Sequence, residues 1–453
     1  MKSTLPTRLI KWLFLQLFIC GVALASGVEH SDPVAPILLG LAIIFIGAKA
    51  GALFATKCGQ PAVLGELLAG ALLGNLALFG FDGLSFIIEG DIFSILAGIG
   101  VVLLLFEVGL ESSIKDILGV GVTSAIVAVI GVIAPFILGY FTSYCFFPDK
   151  SFFVHTFVGA TLCATSVGIT ARVFKDLNKI KTKEAKIILG AAVIDDVLGL
   201  IILAVVSGAI VATNSGGASM SIGSILFIAF KAIAFLGFSL FIGQRLAPSL
   251  YMYAAKLKAE GMLLSLTLAL CFLLAFVSNL VGLAPIVGSF AAGLIIDGTG
   301  FPKFFNSSEK SIEDLLHPIS KFFVPIFFVH MGMQVDLSTF ADPFIIACGL
   351  TLTAVAIIGK QACGLGVLGK ENQGINKLMI GVGMIPRGEV GLIFAAIGAS
   401  LSINGEVIID TSLYSSIVLM VMLTTMVTPP GLKYCLKPKN FAKANLHSRN
   451  SPT

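Results

Sequence analysis

The sequence predicts an all-α polytopic membrane protein of about 13 transmembrane helices, built as inverted-topology repeats with two discontinuous helices. Three observations predict it. The 453 residues are 57% hydrophobic and 12% charged, about half the charge of a soluble chain, and the mean hydropathy is +1.01. Apolar runs long enough to cross a bilayer recur from residue 34 to residue 432. Two motifs return later in the chain at one common spacing.

Residues 1–26 read as a leader. Lys2, Arg8 and Lys11 precede the apolar run Trp12–Val22, and small residues follow at Ala23, Ala25 and Ser26. The competing reading is an uncleaved first helix. From Pro33 onward the expected spans are approximately 34–55, 61–80, 91–110, 117–141, 151–174, 185–211, 221–242, 261–280, 283–299, 318–334, 342–367, 375–401 and 411–432. Residues 433–453 form a short tail.

Loop charge orients these spans. Loops after odd-numbered spans carry Lys57, Lys115, a cluster from Arg172 to Lys183, then Arg245, Lys256, Lys258, Lys303, Lys310, Lys370 and Lys377. The tail adds Lys433, Lys437, Lys439 and Lys443. Loops after even-numbered spans hold mainly Asp82, Glu89, Asp149 with Lys150, Asp336, Asp342, Glu406 and Asp410. The positive-inside rule then predicts an outside N-terminus and a cytoplasmic C-terminus, which a leader would also deliver.

The repeat is read from Gly65-Glu-Leu-Leu-Ala-Gly70, which resembles Gly288-Ser-Phe-Ala-Ala-Gly293, and from Gly109 and Gly332 in two weaker matching segments. Both pairs are 223 residues apart. The partners fall in spans of opposite direction, the arrangement by which many secondary transporters build two access states. The same offset carries Thr165-Ser166 onto Gly388-Glu389. Both stretches interrupt apolar runs with hydroxyls, Gly or Pro, and broken helices at matching positions of two repeats point to a midplane ion site.

Intramembrane charge narrows the candidates. Asp195 and Asp196 lie side by side in the sixth span, where each charge costs a few kcal/mol. Neighbours on a helix are rotated by about 100°, so one acid can face a water-filled cavity while the other reaches a partner on an adjacent helix. Lys360, Arg387 and Glu389 complete the central set, with Glu66, Glu107, Lys49 and Lys231 less central. A monovalent cation takes oxygen ligands, which a carboxylate, the Thr165 and Ser166 hydroxyls and freed carbonyls supply. The same carboxylate can hold a proton, and that competition is sufficient for exchange. Two adjacent acids titrate as a coupled unit. Alternatives stay open for the others. Lys360 could snorkel, Thr165 and Ser166 could bond back to their own helix, and Arg387 and Glu389 read as compensation for broken-helix ends ahead of direct ion contact. Lys231 interrupts the seventh span with no role beyond snorkelling or a kink.

Other classes find little support. Most cysteines, among them Cys20, Cys163, Cys271, Cys348 and Cys363, lie in apolar runs without CxxC spacing, and the five histidines are scattered. No Gly-rich nucleotide loop, filter motif or enzyme constellation is present. The net charge of +4 is spread over short loops and points to no nucleic acid.

Asp195-Asp196, Ala164-Thr-Ser-Val-Gly-Ile-Thr-Ala-Arg172, Pro61-Ala-Val-Leu-Gly-Glu66, Gly282-Leu-Ala-Pro-Ile-Val-Gly288 and Pro386-Arg-Gly-Glu-Val-Gly391 resemble the bacterial sodium/proton antiporters of the second monovalent cation:proton antiporter family. The resemblance covers roughly residues 34–432. It implies a homodimer in the cytoplasmic membrane that exchanges Na⁺ and Li⁺ for H⁺ in pH homeostasis, with no cofactor. It implies that the fifth and twelfth spans cross at their breaks, that Asp196 binds the ion and that Asp195 pairs with Lys360. It also implies a core domain, taken to include 91–211 and 318–432, and a dimerisation domain from 34–80 and 261–299. The potassium-efflux branch is similar too, but typically lacks the double aspartate and carries a nucleotide-sensing domain. Here the chain ends about twenty residues after the last span. Potassium/proton exchange and sodium-coupled symport of an organic solute are the alternatives.

Overall fold

The computed structural model describes residues 34–436, apart from 82, 89, 112–120, 177–178, 180–181, 215–221, 257–260, 299–311, 369–371, 373 and 404. The expected leader, residues 1–26, and most of the tail lie outside the described residues.

Each of the expected spans is occupied by helix. The helices are α1 (Val34–Lys57), α2 (Ala62–Gly74), α3 (Asp91–Glu111), α4 (Val122–Phe146), α5a (Phe152–Cys163), α5b (Val167–Asp176), α6 (Lys183–Asn214) and α7 (Ile222–Lys256). They continue with α8 (Met262–Leu280), α9 (Pro285–Gly298), α10 (Ile312–Met333), α11 (Pro343–Gln361), α12a (Lys377–Gly383), α12b (Glu389–Ser400) and α13 (Thr411–Cys435). Among the described residues, 9 helices are long and apolar enough to cross a membrane, and shorter apolar helices fill the remaining spans. The only strands described are Ser402–Ile403 and Glu406–Val407, an antiparallel pair between α12b and α13.

Helix starts follow local chemistry. Asp410 Oδ1 accepts from Leu413 N at 2.9 Å, Asn376 Oδ1 from Met379 N at 3.2 Å, and Asp342 Oδ1 from Phe344 N at 2.8 Å ahead of Pro343. Each cap satisfies a backbone donor that the first turn leaves open. The largest departure from an expected boundary is at the seventh span. The seventh span was expected to end near residue 242, but α7 runs through Pro248 to Lys256. Arg245 and Lys256 therefore lie on helix, and the Arg245 guanidinium stacks 4.2 Å from the Phe241 ring centroid. Long basic stems can cover apolar helix surface while their heads reach the interface.

The offset of 223 recurs in three dimensions. A Cβ on Gly70 would stand 2.9 Å from Gly332 Cα, and one on Gly109 would stand 3.2 Å from Gly293 Cα. The offset exchanges these pairs, because Gly70 maps to Gly293 and Gly109 to Gly332. Glycine permits such close crossings, and small residues favour them in membranes. The breaks after α5a and α12a match in the same way, and α7 links the two copies.

The helices pack as two groups. One contains α1, α2, α3, α8, α9 and α10, with α3 packed on α9 and α10, and α10 packed on α2 and α3. The other contains α4, both halves of α5 and α12, α6, α11 and α13. The expected division placed residues 91–110 and 318–334 in the core domain; here α3 and α10 pack within the first group. The reason is the glycine crossings, which bring α3 and α10 into backbone contact with α9 and α2.

Candidate ion-binding site

The site lies where the two broken helices meet inside the second group. Ser166 N donates to Pro386 O at 2.8 Å, joining one break to the other. Thr170 Oγ1 donates to Gly383 O at 2.7 Å, holding α5b to the end of α12a. Thr425 Oγ1, from α13, donates to Arg387 O at 2.6 Å. At Gly388 a Cβ would stand 2.6 Å from Ser166 Oγ, so the breaks touch where the side chain is absent.

Arg387 sits at the convergence of two helix ends and is wholly buried. Its Nη2 donates to Leu162 O at 2.7 Å, in the last turn of α5a. Its Nη1 donates to Met384 O at 3.1 Å and Ile385 O at 3.0 Å, just past α12a. A helix C-terminus carries roughly half a negative charge, so one guanidinium matches two such ends. The opposite half-helices start at Val167 and Glu389. The Glu389 side chain lies outside the described residues.

The acids approach from α6. Asp195 is fully buried and Asp196 nearly so. They stand about 18 Å into the helix at 1.5 Å per residue. Lys360, near the end of α11, places Nζ 3.0 Å from Asp195 Oδ1, with neither side chain exposed. Lys360 therefore does not snorkel. Asp195 Oδ2 and Thr165 Oγ1 are buried and lack a hydrogen-bond partner among the described residues. Thr165 lies in the first break itself, and Asp195 Oδ2 is the carboxylate oxygen that Lys360 leaves open. Thr165 does not bond back to its own helix, whereas Thr161 does, to Phe157 O at 3.0 Å.

Sequence reasoning missed several neighbours of this set. Gly131, on α4, faces the Lys360 ammonium: a Cβ there would stand 3.4 Å from Nζ and 2.7 Å from Cys363 Sγ. Cys163 Sγ donates to Val132 O at 3.3 Å. Thr170 and Thr425 clip the breaks together. Only the hydroxyls gave a signal, as polar residues within apolar runs, and Gly131 gave none. Among the described residues, no three His, Cys, Asp or Glu side chains group as a metal site.

Two cavities approach the seam between the groups from opposite ends. One, of about 580 Å³, opens beside Thr56, Gln60 and Lys433 and reaches Ser166 and Gly388. The other, of about 660 Å³, opens beside Asp410 and Gln334 and ends at Val101, Phe327 and Ile393. Phe328 and Leu392 line the first cavity while their neighbours Phe327 and Ile393 line the second. These side chains belong to one buried apolar cluster, which separates the cavities.

An all-helical membrane bundle with repeated halves, crossed broken helices and buried charges at the crossing defines a transporter of the inverted-repeat class. Residues 40–437 match the family described as sodium/hydrogen exchanger, transmembrane, and the chain belongs to that family. It is 37% identical over 450 residues to the high-affinity Na(+)/H(+) antiporter NhaS3 of Synechocystis sp. (strain ATCC 27184 / PCC 6803 / Kazusa), covering 90% of this chain and 93% of that one. It is 33% identical to the Na(+)/H(+)-K(+) antiporter GerN of Bacillus cereus, covering 89% of this chain and 97% of that one. The fold is similar to the sodium proton antiporter MjNhaP1 of Methanocaldococcus jannaschii at pH 8. There the TM-score is 0.64 at 17% identity, over 91% of this chain and 99% of that one.

Proposed function

We propose that this chain exchanges Na⁺ and Li⁺ for protons across the cytoplasmic membrane, with Asp196 alternating between a proton and the cation. The observation that carries this reading is the wholly buried Lys360–Asp195 pair, placed one residue from a second buried acid. A buried pair costs desolvation energy that packing alone would not require. The relatives named as Na(+)/H(+) antiporters support the same reaction.

In the cycle we infer, Asp196 holds a proton and Lys360 holds Asp195 while no cation is bound. Arriving sodium displaces the Asp196 proton and draws on Asp195, with Thr165 and Ser166 offering oxygens from the break. Lys360 then loses its own proton, because an unpaired buried ammonium is expensive. Two protons leave for one sodium, so each cycle moves net charge. Arg387 stays in place as compensation for the half-helix ends, with Glu389 serving the opposite end. No resident cofactor enters the cycle.

The group containing α1–α3 and α8–α10 forms the homodimer, and the group containing α4–α6 and α11–α13 moves against it. That motion opens the cavity beside Lys433 to the cytoplasm and the cavity beside Asp410 to the outside in turn. The N-terminus faces outward and the C-terminus the cytoplasm. The test is collapse of a pH gradient in proteoliposomes on adding Na⁺, Li⁺ or K⁺ separately. Collapse with Na⁺ and Li⁺ is expected, and no response to any of them would overturn the reading. Potassium/proton exchange is a second reading, raised by the K(+) that the name of the Bacillus cereus relative carries beside Na(+) and H(+), and a response to K⁺ alone selects it.

A further inference from the structure

Lys231 stands inside α7, a helix that takes no part in the site described above. The residue is half-buried, and no carboxylate lies within 4.0 Å of its ammonium among the described residues. Two cavities meet at this side chain. One, of about 610 Å³, is a bay between the ends of α6 and α7 and the turn after α8, lined by Gly208, Val211, Gly223 and Gly282. Among the described residues, Lys231 is the one charged residue lining it. The other, of about 640 Å³, is a groove between α7 and α8 that passes Phe235, Phe238, Ile242 and Leu273 toward Leu250. Its walls are apolar and open outward, with Phe238 67% and Leu273 59% exposed.

The turn is shaped around the ammonium. Gly282 has a φ of +80°, and a Cβ built there would stand 3.2 Å from Lys231 Nζ. A side chain at 282 would be strained and would also crowd the charge. From Lys231 to Ile242 the groove follows the helix for roughly 16 Å, about half the thickness of a bilayer's hydrocarbon core. A cation at the mouth of a glycine-lined bay, with an acyl-length apolar groove running on from it, matches one amphiphile.

We propose that Lys231 is the headgroup contact of a bound anionic phospholipid, whose phosphate occupies the bay and whose acyl chain lies in the α7–α8 groove. The charge complements a phosphate, and the groove continues directly from it. The proposal does not depend on the exchange reaction. It places the lipid on the side that loop charge assigns to the outside.

The experiment is native mass spectrometry of the detergent-purified full chain with phosphatidylglycerol or phosphatidylcholine of identical acyl chains. Wild type should retain phosphatidylglycerol roughly fivefold better, the scale of one lysine acting on an anionic lipid. Lys231→Gln should remove the preference, and Lys231→Arg should keep it. Ala234→Trp, which keeps the charge but fills the groove, should lower retention of both lipids. Equal retention of the two lipids by wild type, or an undiminished preference in Lys231→Gln, would overturn the proposal. So would efficient cross-linking of Phe238→Cys between two copies in phosphatidylcholine alone, which assigns the groove to a second copy.

Discussion

The Lys360 ammonium stands 3.0 Å from Asp195 Oδ1 with both side chains fully buried, linking α11 to α6. Removing one partner leaves the other as an uncompensated charge in a low-dielectric interior. Asp195→Asn should therefore lose about 3–5 kcal/mol of stability, seen as a lower thermal midpoint in detergent. The double variant Asp195→Asn with Lys360→Met should recover most of that loss. Equal stability of wild type and the single variant would show that the pair is not ionised.

Asp196→Asn should abolish Na⁺-driven proton release in proteoliposomes, since an amide cannot alternate between a proton and a cation. Its folded yield should be preserved, because a neutral amide is cheaper to bury than a carboxylate. Wild-type exchange by this variant would move the ion site elsewhere.

Membrane potential should drive the wild-type reaction, contributing about 2.3 kcal/mol per 100 mV for each charge moved. Asp195→Asn, without the ion pair, should shift toward electroneutral exchange at reduced rate. Valinomycin clamps at several potassium gradients measure both. Wild-type rates that ignore the imposed potential would refute a two-proton cycle.

Gly131→Ala should slow exchange, because the new methyl would stand 2.7 Å from Cys363 Sγ and 3.4 Å from Lys360 Nζ. The thiol must give way or push on the ammonium. Adding Cys363→Ala makes room for the methyl and should restore most of the rate. If the second substitution does not help, the crowding argument fails.

Arg387→Lys should fold poorly or lose transport even though charge is kept. A single ammonium cannot span Leu162 O on one helix end and Met384 O and Ile385 O on the other. Hydrogen bonds from a charged donor are worth about 1.5–3 kcal/mol each, so losing even one should be visible in thermal unfolding. A lysine variant indistinguishable from wild type would reduce Arg387 to a point charge.

The sequence by itself determined the membrane class, the spans and the repeat. These follow from local properties: apolar runs of bilayer length, and a spacing of 223 between glycines that later proved to be crossing points. The breaks were also legible, since Pro386, Gly388 and the Thr165-Ser166 pair interrupt apolar runs that otherwise favour unbroken helix. The contact between Asp195 and Lys360 was implied only by resemblance, as no local feature links residues 165 positions apart.

Tertiary structure alone decided which carbonyls Arg387 caps, that Gly131 faces Lys360, and that α3 and α10 join the α2 and α9 group. The physical reason is common to all three. In a bilayer every helix satisfies its own backbone and presents an apolar surface of similar character, so the sequence pattern marks helices without naming neighbours. Neighbours are chosen by close packing of small residues and by the few buried polar groups that must find partners. Those choices exist only once helices distant in sequence are brought together.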